Sequence, residues 1–549
     1  METLTQAGAF EGTQLANGVE IHAPAWNLRT KVILNTEVVA LLAELHRKFQ
    51  PQRKALLAQR AERQKQYDAG AVPTYRIDEN SEALTGDWQV NAIPEDLQMR
   101  RVEITGPVNS SKMVIQMLSR NGEGARADTA MLDFEDSMKP SWQNIVDGVH
   151  NVIGVSQGRL ETVENGKVYR LDPEDQAVMM VRVRGLQLDE SNIRIDGEAV
   201  SGGLLDLTLC WYHTAKELIA RGKTPKYYIP KTEYHEETAW WDEVFTALET
   251  YSGVPVGTLK ATFLIETLPA AFQMEEILYA FRRHAAGMNV GRWDKIFSDI
   301  KILKNHPDRI MGDRATISIK PDTPWMFNYA QSLIKICHKR GAFAIGGMAA
   351  FTPGKTAELR EAQTARVVAD KHFENSIGHD GCWVSHPYFI GHALSQFQQK
   401  NQLTVLREDV ADRPDLLPQG RGPYTLGGLR TNVRVGIGYQ EGWNRDIGCV
   451  AWDNLMEDLA TLEISRAQTW QWLKNGVTLE SGQRVTRELI EQVFTEELAK
   501  INEELQEIGA SADVFASFAQ AAEDAKVLFT AEDFQPHLSL ASDLVQDEA

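Results

Sequence analysis

The sequence predicts an α/β protein: a (β/α)₈ (TIM) barrel with an N-terminal helical segment and a C-terminal helical domain. Three observations lead there. Eight short, mostly apolar runs recur over about 300 residues, as strands buried on both faces should. Helical patterns lie between them, and strand–helix alternation implies a parallel sheet. A Pro/Gly-rich stretch, "DVADRPDLLPQGRGPYTLGG", then separates the alternating region from a helical tail.

The first element is a helix over Thr36–Asp68, with apolar residues at Val38, Leu41, Leu42, Leu45 and Phe49. Pro51 is expected to break or restart it. Its basic run "QRAERQKQ" reads as a solvated face. A polar connection follows to about Glu95. The eight expected strands lie in Arg100–Gly106, Thr129–Asp136, Ala177–Gly185, Lys226–Glu233, Lys260–Thr267, Gly287–Asp294, Ala342–Ala350 and Cys382–Tyr388. The helical patterns among them include "ETAWWDEVFTALETY", "AAFQMEEILYAFRRH" and "TPWMFNYAQSLIKICHKRG". Beyond the Pro/Gly-rich stretch the chain reads as helical to about Asp533. The expected units are 1–99 (helical segment and connection), 100–408 (barrel) and 409–549 (helical domain).

Composition narrows the function classes. The 549 residues are 43% hydrophobic and 24% charged, which suits a globular protein with a large core. Lys+Arg number 57 against 76 Asp+Glu, a formal net charge of −19, so nucleic acid is repelled on average. No run of about 18 apolar residues is present, and no membrane span is expected. The N-terminus lacks a basic region followed by an apolar block, and "LVQDEA" matches no simple C-terminal address, so neither a secretory leader nor an organelle address is expected. Four scattered cysteines suit a reducing cytoplasm rather than a disulfide framework.

The chemistry concentrates at strand ends, where a barrel of this kind carries its catalytic groups. Glu266 ends the fifth run and Asp294 the sixth. These are neighbouring strands, and two carboxylates with water and an oxygenated substrate are how Mg²⁺ is usually held. Either residue alone could be a helix cap. Asp133, Glu135 and Asp136 crowd the end of the second run. Arg182 and Arg184 lie in the third, where alternation lets both face the barrel mouth. Each arginine is either a ligand for a substrate anion or the partner of those acids, and one could fill each role. Glu457, Asp458, Glu463 and Arg466 read as an acidic solvated helix face with a Glu463–Arg466 pair. "GIGYQEG" follows no strand and "GPVNSSK" lacks the glycine before lysine, so neither is a nucleotide-binding loop. His379, Cys382, His386 and His392 match no common zinc spacing.

At these residues the chain resembles the malate synthases of the short A-type. Their motif runs R/K-acid-H-x-x-G-L-N-x-G-x-W-D-Y/C-I/V-F, and here "RRHAAGMNVGRWDKIF" (Arg282–Phe297) stands. Gly287, Asn289, Gly291, Trp293 and Asp294 match, while Arg283, Met288 and Lys295 depart. "RRVEITGPV", "DFEDS", "RVRGL", "IETLPAAFQMEEIL", "CHKRGAFAIGGMAAF" and "MEDLATLEISR" extend the likeness in order from about Arg100 to Trp472.

The resemblance implies condensation of acetyl-CoA with glyoxylate, and hydrolysis to malate and CoA, with Mg²⁺ as cofactor. It implies Glu266 and Asp294 as metal ligands and Gly291, Trp293 and Asp294 as glyoxylate contacts. Arg182 and Asp458 are the implied catalytic pair, which reverses the solvated-face reading of Asp458. From strand adjacency, Glu135 or Asp136 is expected to orient Arg182. Pro387, in "SHPY" at the last strand's end, is the candidate CoA contact. Citrate-lyase-type and malyl-CoA lyases share a similar barrel, but the helical tail with "MEDLATLEISR" favours a synthase. A non-catalytic acyl-CoA or anion-binding barrel is disfavoured by the retained Arg182, Glu266, Asp294 and Asp458.

Overall fold

The structure, a computed structural model, describes residues 9–76 and 80–546. The chain's first residues and its last three, on which the leader and address expectations partly rest, lie outside that range. Eight strands form the barrel, one overlapping each expected run: β1 Val102–Pro107, β2 Thr129–Asp133, β3 Val178–Arg182, β4 Lys226–Ile229, β5 Lys260–Ile265, β6 Ala285–Val290, β7 Phe343–Ala349 and β8 Gly381–Val384. They pair in parallel, each with the next, and β8 pairs with β1 to close the barrel.

Alternation sorts their side chains. Met131, Met180, Tyr228, Leu264, Ile345 and Trp383 fill the interior, while Leu132, Val181, Ile229 and Phe263 pack outward under the helices. Below them Arg100 is fully buried and donates to Glu103 (2.7 Å), Tyr228 Oη (2.8 Å) and Thr262 Oγ1 (2.9 Å). This satisfied polar plug fills the N-terminal end of the barrel.

Six helices frame the barrel mouth and the tail. They are α1 Thr36–Asp68, α2 Arg292–Ile302, α3 Leu426–Asn444, α4 Leu459–Lys474, α5 Arg487–Glu507 and α6 Ala512–Phe529. The Asn35 side chain starts α1 by accepting from the amides of Glu37 and Val38. Pro51 does not break α1, contrary to expectation. It is exposed, as is Arg47 four residues earlier, so the carbonyl it leaves unpaired faces water. The basic run is not simply solvated either. Arg60 is largely buried and pairs with Glu237, and Arg63 pairs with Glu236.

An antiparallel sheet was not anticipated. Gly12–Gln14 pairs with Val19–His22, which pairs with Asp189–Ile195, which in turn pairs with Glu198–Ser201. The end of the chain returns to it, with Ser542 N–H donating to Asp189 O at 2.9 Å. The helical tail forms its own core around Leu429, Val433, Ile437, Leu462, Trp472 and Phe529. "GIGYQEG" lies within α3. There a Cβ on Gly436 would stand 2.5 Å from the Phe529 ring, so glycine permits the close crossing.

A short hairpin, Val450–Trp452 and Leu455–Glu457, interrupts the tail's helices. Its turn residues Asp453 and Asn454 have φ of 47° and 65°, the left-handed pair a tight hairpin needs. Met456 N–H donates to Ala350 O (2.7 Å) and Leu459 N–H to Asp136 O (3.1 Å), which fixes the hairpin and the start of α4 to the barrel rim.

Candidate active site

One cavity at the C-terminal mouth of the barrel is lined by Asp136, Arg182, Glu266, Gly291, Trp293, Asp294, Pro387 and Asp458. These came from five different barrel segments and the helical tail. Glu135 lies directly behind them.

Arg182 is the last residue of β3, and Asp133 the last of β2. Asp133 accepts from Arg182 Nε (2.7 Å) and Nη2 (2.6 Å), and from Glu135 N–H, Ser137 N–H and Ser137 Oγ. Burial opposes the Asp133 charge, yet Arg182 and these donors hold its carboxyl below the usual range. Asp133 is therefore the main anchor of Arg182. Glu135 and Asp136, expected in that role, lie 3.4 and 3.8 Å from Nη1, the nitrogen Asp133 does not engage. Strand adjacency was right, but the residue level with Arg182 in the ladder is Asp133.

Arg184 does not share the cavity. The strand ends at Arg182, so alternation does not carry on to Arg184. Its fully buried guanidinium pairs with Asp206 (2.8 Å) and Glu190 (2.7 Å), a structural role.

Glu266 follows β5 and is 1% exposed. Its Oε1 accepts from Lys231 N–H at 2.8 Å, while its buried Oε2 has no hydrogen-bond donor among the described residues. Asp294 sits in the first turn of α2. Gly291 precedes that helix, and a Cβ there would come 2.8 Å from Glu266 Cβ, so only glycine lets the two elements meet. Gly291 N–H is taken by Tyr329 Oη at 3.1 Å. The amides of Arg292, Trp293 and Asp294 begin the helix without a side-chain cap, a good seat for a carboxylate.

Sequence reasoning missed Lys231. Its Nζ lies 2.7 Å from Asp136, 2.8 Å from Asp294, 3.1 Å from Glu135 and 3.8 Å from Glu266. Burial works against its charge, but those carboxylates hold its pKa well above normal. It stands at the end of the fourth run, "KYYIPKTE", and a search of strand ends for cations as well as carboxylates would have found it. Were all four carboxylates ionised, they would exceed the one ammonium by three charges, since Arg182 is largely balanced by Asp133. Burial, and then neighbouring acids, accordingly push the Glu135 and Asp294 carboxyls well up.

Asp458 is the residue before α4, at the end of the hairpin that the rim holds, rather than on a solvated helix face. Burial and the charge of Asp136 push its carboxyl up to about 8. The expected Glu463–Arg466 pair forms, but it is buried. The three motif departures point elsewhere. Lys295 is fully buried and paired with Asp299 at 2.5 Å, Met288 packs in the outer core, and Arg283 pairs with Asp242 and Glu243.

Fold and site together define a (β/α)₈-barrel enzyme whose cleft gathers carboxylates around the Lys231 ammonium and is capped by Asp458 from the helical tail. Similarity to known proteins is specific. The family description "Malate synthase, TIM barrel domain" matches residues 178–417, "Malate synthase, C-terminal" matches 424–542, and "Malate synthase, N-terminal domain" matches 17–76. Malate synthase A of Escherichia coli is 46% identical, covering 87% of this chain and 89% of that protein. Malate synthase of Myxococcus xanthus is 43% identical, covering 91% and 92%. The solved Haloferax volcanii malate synthase pyruvate/acetyl-CoA ternary complex aligns with TM-score 0.45 and 16% identity, over 78% of this chain and 98% of that one. The chain belongs to the malate synthase family. It is an enzyme, an acyltransferase joining acetyl-CoA and glyoxylate to give malate and CoA.

Proposed function

We propose that this reaction takes place in the cavity at the barrel mouth, with Arg182 and Asp458 as catalytic residues and Mg²⁺ held by Glu266 and Asp294. The observation that carries the reading is the convergence of these four side chains, with Gly291, Trp293 and Pro387, on one cavity. The donor set suits magnesium. The two proposed ligands, Glu266 and Asp294, offer carboxylate oxygens and no imidazole or thiolate. The partnerless Glu266 Oε2 and the crowding of Glu135, Asp136, Glu266 and Asp294 also suit a divalent cation. When bound, the ion supplies Lewis-acid polarisation of the glyoxylate carbonyl and charge for its carboxylate.

The chain's own groups do the rest. The amides of Trp293 and Asp294 hold the glyoxylate carboxylate. Asp458, once ionised, takes a proton from the acetyl methyl group. Arg182 Nη1 stabilises the oxygen on which the enolate charge gathers, while Asp133 fixes the guanidinium plane. The enolate carbon bonds to the aldehyde carbon, whose oxygen takes a proton to become the hydroxyl of malyl-CoA, and water then cleaves the thioester to the second carboxylate of malate and the CoA thiol. Pro387 borders the entry as a CoA contact. Residues 1–99, 100–408 and 409–549 act as support, metal and glyoxylate platform, and carrier of the base. A cytoplasmic location fits four cysteines that are all unpaired.

A thiol-release assay with both substrates tests the reading. CoA is expected to appear only with Mg²⁺ present, and release unaffected by chelation rejects the metal role. Glu266→Ala is expected to weaken Mg²⁺ binding beyond detection by calorimetry and to lower turnover by about 10²-fold or more. Unchanged Mg²⁺ affinity in that variant removes Glu266 from the ligand set.

A further inference from the structure

Neither Lys231 nor Arg60 has a part in the mechanism above, yet both are built into the cation site. Lys231 has a φ of 54°, a left-handed backbone that a lysine adopts only under constraint. Three contacts impose it. Its carbonyl accepts from Arg60 Nη2 at 2.9 Å, its N–H donates to Glu266 Oε1 at 2.8 Å, and its ammonium reaches Asp136, Asp294 and Glu135. Arg60 is itself fixed on α1 by a two-point pair with Glu237, at 2.6 and 2.7 Å. The N-terminal helix thus reaches the backbone of Lys231 through Arg60.

We propose that Lys231 is a positioning residue of the cation site: its N–H aims Glu266, and its ammonium is an internal counter-ion for Asp294 that a divalent ion must displace. This rests on the reading of Glu266 and Asp294 as metal ligands. Asp294 Oδ1 is ion-paired to the ammonium at 2.8 Å, so a metal ion that takes that oxygen competes with it. Asp136 and Glu135 face the same ammonium and give it an alternative partner. The lysine holds the cluster of acids together and in doing so tempers metal affinity.

Calorimetric titration of the full chain with Mg²⁺ alone, beside thermal unfolding, tests this. Lys231→Met keeps the backbone N–H and removes the ammonium. It is expected to bind Mg²⁺ at least about tenfold more tightly, to unfold at lower temperature without metal, and to gain more from added Mg²⁺ than the parent. Unchanged or weaker Mg²⁺ binding overturns the proposal. Should Lys231→Met not fold, Lys231→Arg decides. A guanidinium can grip two carboxylates at once, so Mg²⁺ affinity is expected to fall, and parent-like affinity overturns the proposal. The parent and Glu266→Ala separate the two claims. A parent that takes up no Mg²⁺ defeats the ligand reading, whereas normal uptake unaffected by Lys231 defeats only this proposal.

Discussion

Asp458→Asn is expected to lower turnover by about 10³-fold or more, while Mg²⁺ affinity by calorimetry stays within about threefold. The amide has nearly the same shape but cannot accept a proton from the acetyl methyl group. Asp458 touches neither proposed metal ligand, so the cation site should hardly register the change. Turnover within tenfold of the parent ends the base assignment.

The same carboxyl makes a pH prediction with a definite sign. Folded, its pKa is pushed up from 3.8 to about 8, first by burial and then by Asp136. Unfolded, it ionises near its ordinary value of about 4. Folding therefore takes up a proton between these limits. The stability this confers is complete below about pH 4 and is lost as pH rises through about 8. The asparagine variant has no such loss, so its Tm should gain on the parent's from about pH 5 to about pH 9. The kcat/KM of the parent should fall on the acid side, with a midpoint at or below about 8, since a bound divalent cation favours the ionised form. An acid side that stays flat to about pH 5 rejects Asp458 as the base.

Much of this arrangement was legible in the sequence for a physical reason. A parallel strand buried on both faces must be apolar through its length, and each of the eight runs overlaps one strand. Its end must turn polar, which exposed Glu266, Asp294 and Arg182 to view. The antiparallel sheet was not legible, because it is two short hairpins that join each other across more than 150 residues, as Ile21 does with Ile193. The hairpin before Asp458 was missed in a tail that otherwise reads as helix, although "DN" at its turn was a signal. Local spacing also could not show that Asp458 leaves the helix face, since tertiary bonds from Met456 and Leu459 to the barrel rim place it. Lys231 was missed for a different reason. Nothing in a lysine foretells a left-handed backbone, which here is imposed by Arg60 from 171 positions away.

Arg182→Lys is the second variant expected to have a large effect. Lysine keeps a positive charge beside Asp133, so the fold should survive with a modest fall in Tm. Arg182→Met would instead strand a fully buried carboxylate, at a cost of about 3–5 kcal/mol. What lysine cannot do is engage both Asp133 oxygens through Nε and Nη2 while offering Nη1 to the enolate oxygen. That donation matters only as the enolate forms, so its loss should appear in kcat far more than in the KM for glyoxylate. The expected fall in kcat is about 10²–10³-fold, the range for one lost donor to a developing oxyanion. Wash-in of deuterium to the acetyl-CoA methyl group from heavy water should slow with it, because both report proton removal. If kcat falls while wash-in keeps its parent rate, Arg182 acts after enolisation. If neither changes by tenfold, the anchored guanidinium is a structural pair like that of Arg184.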